Sequence, residues 1–236
     1  MNEKINSSKE KNRIVEVYDR YMNDSLLYNR WSEENLGNKI IYHERYEHIV
    51  KLLNDFKINL ENKSILDIGC AGGNIFPLLK DLGIDEKNIN GIDIRSNRIK
   101  DAKKLFPKSK LNIMDATKLD FNGNSFDIII TFTLFSSILE KNFRKKIANE
   151  ILRVLNPGGV ILYYDLRYNN PFNRNVLKMS YDEINDLFPN MIKKLDLVTV
   201  IPPLIRIIGG MADNIYPILS KLNFLNTHYL GLFIKE

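Results

Sequence analysis

The stretch from Ser64 to Leu79 constrains the fold of this 236-residue chain more than any other part of it. An apolar run broken by one acid, Asp67, leads into a loop that contains Gly69, Gly72 and Gly73, and apolar residues at helical spacing follow. This order predicts a strand, a tight loop and a helix. Such a loop sets backbone N–H groups and the positive end of a helix dipole beside a cavity, and glycine lets a ligand approach the main chain.

The spacing of the glycines excludes two well-known ligand-binding loops. A phosphate-binding loop needs Gly-Lys followed by Ser or Thr at the helix start, whereas Asn74 and Ile75 follow Gly73. A dinucleotide-binding loop needs Gly-x-Gly-x-x-Gly, and the chain has Ala71 and an asparagine where the second and third glycines would stand. What remains is an acid two residues before the first glycine and a second acid, Asp93, at the end of the next apolar strand.

This pattern resembles the class I S-adenosylmethionine (SAM)-dependent methyltransferases, whose first motif is an acidic residue followed by a glycine-rich loop. The resemblance implies that Asp67 and the loop backbone hold the amino-acid tail of SAM. It also implies that Asp93 accepts both ribose hydroxyls and that Asp115, with the Ala116 N–H, reads the adenine edge. A carboxylate suits a diol because its two oxygens accept two charge-assisted hydrogen bonds. The cofactor-binding residues predicted in this way are Asp67, Gly69, Cys70, Ala71, Gly72, Asp93, Ile94, Asp115, Ala116 and Phe132.

Cys70 and Ala71 are the non-glycine residues at the centre of the loop. Ala71 stands where the family commonly has glycine, an exchange that costs little if the residue keeps an ordinary φ. Cys70 is predicted to be a small loop residue rather than a nucleophile, because direct methyl transfer needs no protein nucleophile. As the only cysteine it excludes an internal disulfide.

Strands and helices alternate along the chain as far as Tyr164. The alternation occurs five times and predicts a doubly wound α/β sheet with ligands at the carboxyl ends of its strands. The pattern then changes to a short helix from Ser180, a β-rich run from Leu195 to Ile201 and a final strand from Tyr229 to Ile234. By resemblance, the last two strands form an antiparallel edge pair in a mostly parallel seven-stranded sheet of order 3-2-1-4-5-7-6, with helices on both faces.

The length of the chain predicts one sizeable domain rather than two. Polar residues 1–12 are predicted to be a flexible leader. Residues 13–236 are then a single methyltransferase domain, with an N-terminal helical cover at 13–60, the SAM-binding core at 61–165 and a substrate-side insert with edge strands at 166–236.

Composition limits the partners and the compartment. A net charge of +5 and a pI near 9.1 are mildly basic, and the abundance of Lys, Asn and Ile indicates coding bias rather than a nucleic-acid footprint. The basic face formed by Lys141, Arg144, Lys145 and Lys146 is predicted to be solvated. No signal peptide or membrane span is predicted, because the first residues are polar and the longest apolar run, 128–139, is too short for a bilayer. We expect a cytoplasmic monomer or homodimer without a metal site.

Methyl transfer is an in-line displacement that alignment and exclusion of water can promote on their own. A base is still useful for an oxygen acceptor, and histidine titrates near neutral pH. If the last strand is antiparallel, His228 and Asp165 lie on the same rim of the sheet, so we predict this pair as catalytic, with His43 in reserve. His48, within a helical run, is predicted to be structural or solvated.

Four residues are predicted to contact the methyl acceptor. Tyr28 and Trp31 belong to an aromatic segment before the first strand that either folds over the site or simply packs in the core. Arg167 and Arg174 follow the fifth strand, where they could face an acidic acceptor or remain on the surface.

The sequence leaves three functions open. The first is a SAM-dependent methyltransferase that acts on a small molecule or sugar, at oxygen. The second is an RNA or protein methyltransferase, which would need a basic, aromatic-lined approach surface. The third is a SAM-binding scaffold without catalysis. The segment Thr131-Phe132-Thr133-Leu134 lacks the Asn/Asp-Pro-Pro-aromatic motif of amino-directed nucleic-acid methyltransferases, which argues against base methylation.

Overall fold

The computed structural model describes residues 2–24 and 34–236. The helices are α1 (Asn2–Asn23), α2 (Leu36–Asp55), α3 (Phe76–Asp81), α4 (Ser96–Leu105), α5 (Lys141–Val154), α6 (Tyr181–Leu187), α7 (Pro202–Ile208) and α8 (Ala212–Leu219). The strands are β1 (Ile65–Ile68), β2 (Ile89–Asp93), β3 (Lys110–Ile113), β4 (Phe126–Phe132), β5 (Leu155–Leu166), β6 (Met191–Val200) and β7 (Asn226–Lys235). Short 3₁₀ turns lie at Glu86–Asn88 and Gly209–Met211.

The seven strands form one sheet in the order 3-2-1-4-5-7-6, which confirms the predicted topology. Strands β1 to β5 are parallel, and β7 runs antiparallel between β5 and β6. The continuous apolar run of β4 is central and buried on both faces, as expected for a parallel strand covered by helices. The carboxyl ends of the parallel strands therefore meet the start of β7 at one edge, which we call the rim.

Helices cover both faces of the sheet. One core contains inward residues of α5 and α6, packed on strand residues such as Leu66, Ile129 and Tyr163. The opposite core contains residues of α2, α3 and α4, packed on the alternate strand residues such as Ile65 and Ile130. A third cluster joins α2, α7 and α8 to the end of β6. This arrangement places α2 and its neighbours over the edge strands.

The first helix differs from the sequence-based expectation. Residues 1–12 were expected to be a flexible leader, but α1 is helical from Asn2. Glu10 is buried, accepts hydrogen bonds from Arg13 and from the Leu139 N–H, and has a lowered pKa because these bonds outweigh burial. A polar helix of this kind gains its stability from such tertiary contacts rather than from an apolar stripe.

Arg144 also departs from its prediction. It was expected on a solvated basic face, yet only 2% of its side chain is exposed. Its guanidinium donates to the Ile138 carbonyl at 2.7 Å and forms an ion pair with Glu183 of α6 at 2.6 Å. Lys141, Lys145 and Lys146 are exposed as predicted, so Arg144 alone turns inward to join two helices.

Candidate cofactor and acceptor site

The rim brings together the acids that the sequence placed after successive strands. Because β1 to β4 are parallel, Asp67, Asp93, Asp115 and Phe132 all lie at or near carboxyl ends. Ile94 and Ala116 follow two of these acids and are half-buried. The residues predicted to bind the cofactor thus form one continuous edge of the sheet.

The glycine loop after β1 is a compact, internally bonded turn. Gly69 and Gly73 have φ of +78° and +80°, which glycine adopts without steric cost. The Gly69 and Cys70 N–H groups both donate to the Ile92 carbonyl, and the Ala71 N–H donates to Asp93 at 3.0 Å. These amides were expected to be free for a ligand. They instead bind the loop to β2, so the loop is rigid.

Ala71 does not keep an ordinary backbone conformation. Its φ is +48°, in the left-handed region, where an L-residue pays about 1–2 kcal/mol. The condition under which alanine would cost little here is therefore not met, and in this conformation the Ala71 N–H donates to Asp93. The loop therefore stores strain at the position where the family commonly has glycine.

Asp67 is the least satisfied acid of the rim. Its side chain is 4% exposed, and no hydrogen-bond donor to it is found in the described part of the chain. Burial, with a further contribution from the negative charge of Asp93, raises the pKa of Asp67 to about 8. A buried carboxyl without a donor is costly, so it favours a cationic ligand group beside it.

Asp93 is bound by its own neighbour. Its two carboxylate oxygens accept from the Arg95 backbone N–H at 2.8 Å and from the Arg95 guanidinium at 3.2 and 3.3 Å. The Arg95 guanidinium lies 5.0 Å from the centre of the Tyr18 ring of α1. Asp93 therefore lies at the rim bound to Arg95, which in turn packs against an aromatic ring of α1.

Helix α1 crosses the rim along its length. Lys11 forms an ion pair with Asp115, and Tyr18 shares a short hydrogen bond with the Ser137 hydroxyl. Asp115 also accepts from the Thr117 N–H and hydroxyl. Burial alone would raise the pKa of Asp115, but the Thr117 bonds and the ion pair to Lys11 together outweigh it, so the pKa is lowered. The N-terminal cover predicted for residues 13–60 thus begins earlier, at the first described turns of α1.

Cys70 faces the sheet rather than the rim. Its sulfur lies 2.9 Å from the position that a Cβ on Gly91 would occupy, and the side chain is buried. Burial and the charges of Asp67 and Asp93 raise its pKa, so the thiol is not ionised near neutral pH. This environment suits the small loop residue that the sequence predicted.

Asp165 holds the loop after β4. It is fully buried and accepts from the backbone N–H groups of Phe135, Ser136 and Leu166 at 2.9–3.1 Å. Burial outweighs these bonds and raises the pKa of Asp165 to about 6. Its three backbone contacts indicate a structural role in shaping this loop.

His228 reaches the rim as predicted but does not meet Asp165. His228 pairs in register with Leu166, whereas Asp165 pairs with Tyr229, so the two side chains lie on opposite faces of the sheet. The predicted pair is therefore not formed. The His228 ring stacks on Tyr164 at 4.7 Å, and burial, with the nearby charge of Arg45, lowers its pKa to about 3.

The other predicted catalytic and acceptor-site residues are exposed, engaged by backbone carbonyls, or outside the described residues. His43 is exposed and pairs with Glu47 on its own helix. Arg167 donates to the carbonyls of Asn223 and Asn226, so its guanidinium stabilises the turn that leads into β7. Arg174 is exposed. Tyr28 and Trp31 fall within residues 25–33, which the structure does not describe.

Sequence reasoning missed Tyr18, Arg95 and Arg45. Arg45 has its guanidinium carbon 5.0–5.4 Å from the ring centres of Tyr42, Phe132 and Tyr164. Its position four residues after Ile41 and four before Ile49 was a signal that this cation faces inward. Arg95 gave a weaker signal, its place two residues after Asp93.

The described residues contain no helix long and apolar enough to cross a bilayer. In the same residues, no three His, Cys, Asp or Glu side chains are grouped to hold a metal ion.

The residues present fit SAM. Asp67, which is buried and has no donor among the residues that the structure describes, suits the ammonium group of the amino-acid tail, while Asp93 and Asp115 suit the ribose and adenine. The sheet order and the three strand-end acids are those expected of a class I SAM-dependent methyltransferase, and part of the chain is similar to this family. Residues 66–163 match the family model described as a methyltransferase domain.

Individual methyltransferases are similar to the chain over part of their length. The chain is 27% identical over 166 residues to the 2-methyl-6-phytyl-1,4-hydroquinone methyltransferase of Synechocystis, covering 64% of this chain and 50% of that protein. It is 31% identical over 170 residues to the phthiotriol/phenolphthiotriol dimycocerosates methyltransferase of Mycobacterium leprae, covering 65% and 61%. It thus spans less than two thirds of either relative. A Pyrococcus horikoshii crystal structure matches in fold, with a TM-score of 0.60, 16% identity and coverage of 92% and 99%.

Proposed function

We propose that this protein transfers the methyl group of SAM to an oxygen atom of a small-molecule acceptor. The observation that carries the proposal is the buried carboxyl of Asp67, which has no donor among the described residues and lies beside Asp93 at the glycine loop. Both named relatives are methyltransferases of small molecules, which supports the acceptor class.

The cofactor-holding groups have separate roles in this proposal. When bound, SAM supplies a methyl group on a positively charged sulfur. Asp67 would hold the ammonium of its tail, and Asp93 would exchange the Arg95 guanidinium for the ribose hydroxyls. Asp115 would give up its ion pair with Lys11 and accept a hydrogen bond from the adenine edge. Each contact places a carboxylate against a donor, so each is charge-assisted.

The remaining groups position the acceptor and exclude water. Phe132, the last residue of β4, pairs with Tyr164 of the neighbouring parallel strand β5, and their ring centres are 5.5 Å apart. Helix α1, with Tyr18 over Arg95, covers the cofactor side of the rim. Because the displacement needs alignment rather than a protein nucleophile, such an enclosed rim suffices for methyl transfer.

Calorimetric titration with SAM and with S-adenosylhomocysteine tests the cofactor assignment. We expect micromolar-range binding that Asp93→Ala weakens by about tenfold or more, because a charge-assisted pair of hydrogen bonds is lost. Asp101→Ala is the matched control, since Asp101 is an exposed acid on α4. Absence of binding, or an Asp93→Ala variant that binds like the parent, would refute the proposal.

A screen with methyl-labelled SAM and a metabolite extract tests the reaction. The expected product is a methyl ether or ester, identified by mass spectrometry and NMR. Product formed at nitrogen or carbon would refute the assignment to oxygen. RNA binding with a steep salt dependence would instead favour an RNA acceptor.

A further inference from the structure

Arg45 is enclosed by three aromatic rings at the acceptor side of the rim. Its guanidinium carbon lies 5.0 Å from the ring centre of Tyr42, 5.4 Å from Phe132 and 5.3 Å from Tyr164. Phe132 is the last residue of β4, and Tyr164 lies near the end of β5. The charge is therefore held over the strand ends where an acceptor must lie to reach the cofactor.

No anion in the described residues pairs with this charge. The Arg45 Nε atom is buried without a hydrogen-bond partner, and no ion pair of Arg45 is found among these residues. The adjacent Glu44 is occupied elsewhere, since it accepts from the Thr199 N–H at 2.8 Å and from the Tyr216 hydroxyl at 2.6 Å. Aromatic rings attract a cation but do not neutralise its charge. A half-buried guanidinium would therefore be further stabilised by a negatively charged partner.

The Tyr164 ring beside Arg45 is held in place by two neighbours. The Tyr164 hydroxyl bonds the Thr199 hydroxyl at 2.9 Å, and the Tyr164 ring stacks on His228 with an interplanar angle of 3°. The charge of Arg45 contributes to the lowered pKa of His228, so this ring stays neutral at physiological pH. Among the described residues Tyr42, Phe132, Tyr164 and His228, no side chain carries a charge that opposes Arg45, and its cation disfavours a second cation there.

We propose that Arg45 binds an anionic oxygen group of the acceptor, a carboxylate, and thereby selects acidic small molecules. The inference rests on the proposed function. A guanidinium presents paired donors that match the two oxygens of a carboxylate, and the three rings orient this fork. The sequence suggested Arg167 and Arg174 for binding an acidic acceptor. In the present proposal that role belongs to Arg45 of α2. Arg167 is engaged by backbone carbonyls instead.

Calorimetry with 4-hydroxybenzoate and 4-hydroxybenzamide tests the proposal on protein saturated with S-adenosylhomocysteine. The two probes share a ring and a hydroxyl and differ in charge. We expect the carboxylate to bind about tenfold or more tightly than the amide, as one charge-assisted pair provides. Arg45→Gln should abolish this preference without changing the affinity for S-adenosylhomocysteine.

Two further variants make the result specific. Arg174→Gln removes an exposed arginine and should keep the preference. Arg45→Lys keeps the positive charge without the planar guanidinium and should retain part of the preference for the carboxylate. This variant also tests the proposal if Arg45→Gln does not fold. A parent protein with no preference for the carboxylate overturns the proposal, as does a folded Arg45→Gln that keeps it. Failure to bind S-adenosylhomocysteine overturns the proposed function instead, and the probe preference is then measured on the free protein.

Discussion

Asp67 pairs in register with Gly91, two residues before Asp93 on the neighbouring strand, and the side chains of both acids are at most 5% exposed. Arg95 and the Ala71 N–H neutralise only Asp93. Asp67 is left to be satisfied by protonation, which is why burial and the Asp93 charge together hold its pKa at about 8. A cationic ligand group would replace that proton.

We therefore expect SAM binding at pH 7 to release up to one proton, and affinity to increase as the pH rises toward 8. Without ligand, the contribution of Asp67 to the free energy of unfolding changes in the opposite direction and decreases as the pH rises. The folded pKa is raised above the ordinary 3.8, so the contribution is full below about pH 4 and is lost as the pH rises through 8. Calorimetry in buffers of different ionisation enthalpy measures the proton. Asp67→Asn should show no release, and a parent without release would contradict the pKa assignment.

Lys11→Ala tests the contact of α1 with the adenine side of the rim. The ion pair with Asp115 is 29% exposed on both sides, so it contributes less than about 1 kcal/mol. Its removal frees Asp115, and we expect S-adenosylhomocysteine to bind up to about fivefold more tightly. Lys9→Ala, an exposed neighbour, is the control. Weaker binding in Lys11→Ala would show that Lys11 supports the bound state instead.

Ala71→Gly should stabilise the protein by about 1 kcal/mol, because it removes the cost of a left-handed φ of +48°. Urea denaturation measures the change. Ala116→Gly is the matched control: Ala116 does not have a positive φ, so glycine there should destabilise by about 0.5–1 kcal/mol. Destabilisation in both variants would mean that the Ala71 methyl group has a packing role.

Arg144→Ala should cost about 3 kcal/mol of unfolding free energy. The substitution leaves Glu183 and the Ile138 carbonyl without their donor and opens a cavity between α5 and α6. Lys145→Ala, on the exposed side of the same helix, should change stability by less than about 0.5 kcal/mol. Equal effects of the two substitutions in thermal and urea unfolding would refute the inward placement of Arg144.

His228→Gln tests whether a protein base takes part in methyl transfer. Because the pKa of His228 is lowered to about 3, we expect a loss of less than about tenfold in the single-turnover rate, whereas loss of a general base costs about 10²–10⁴-fold. His43→Gln, at an exposed side chain, should have no effect. A loss of 10²-fold or more in His228→Gln would restore it as the base.

The sequence by itself determined the class of fold and the cofactor edge. Glycine spacing and strand-end acids are local patterns with a direct physical cause: parallel strands bring their carboxyl ends to one edge, so Asp67, Asp93 and Asp115 meet whatever the details of packing. The antiparallel direction of β7 placed His228 on that edge for the same reason.

Only the tertiary structure decided which side chains touch. A shift of one residue along β7 reverses the face, so register separated His228 from Asp165 although both reach the rim. The polar helix α1 and the inward Arg144 are held by contacts distant in sequence, with Leu139, Asp115 and Glu183. The aromatic surroundings of Arg45 were also decided by tertiary structure. Tyr42 lies on a helix before the first strand, whereas Phe132 and Tyr164 lie on strands later in the chain, and only the fold brings their rings around the guanidinium.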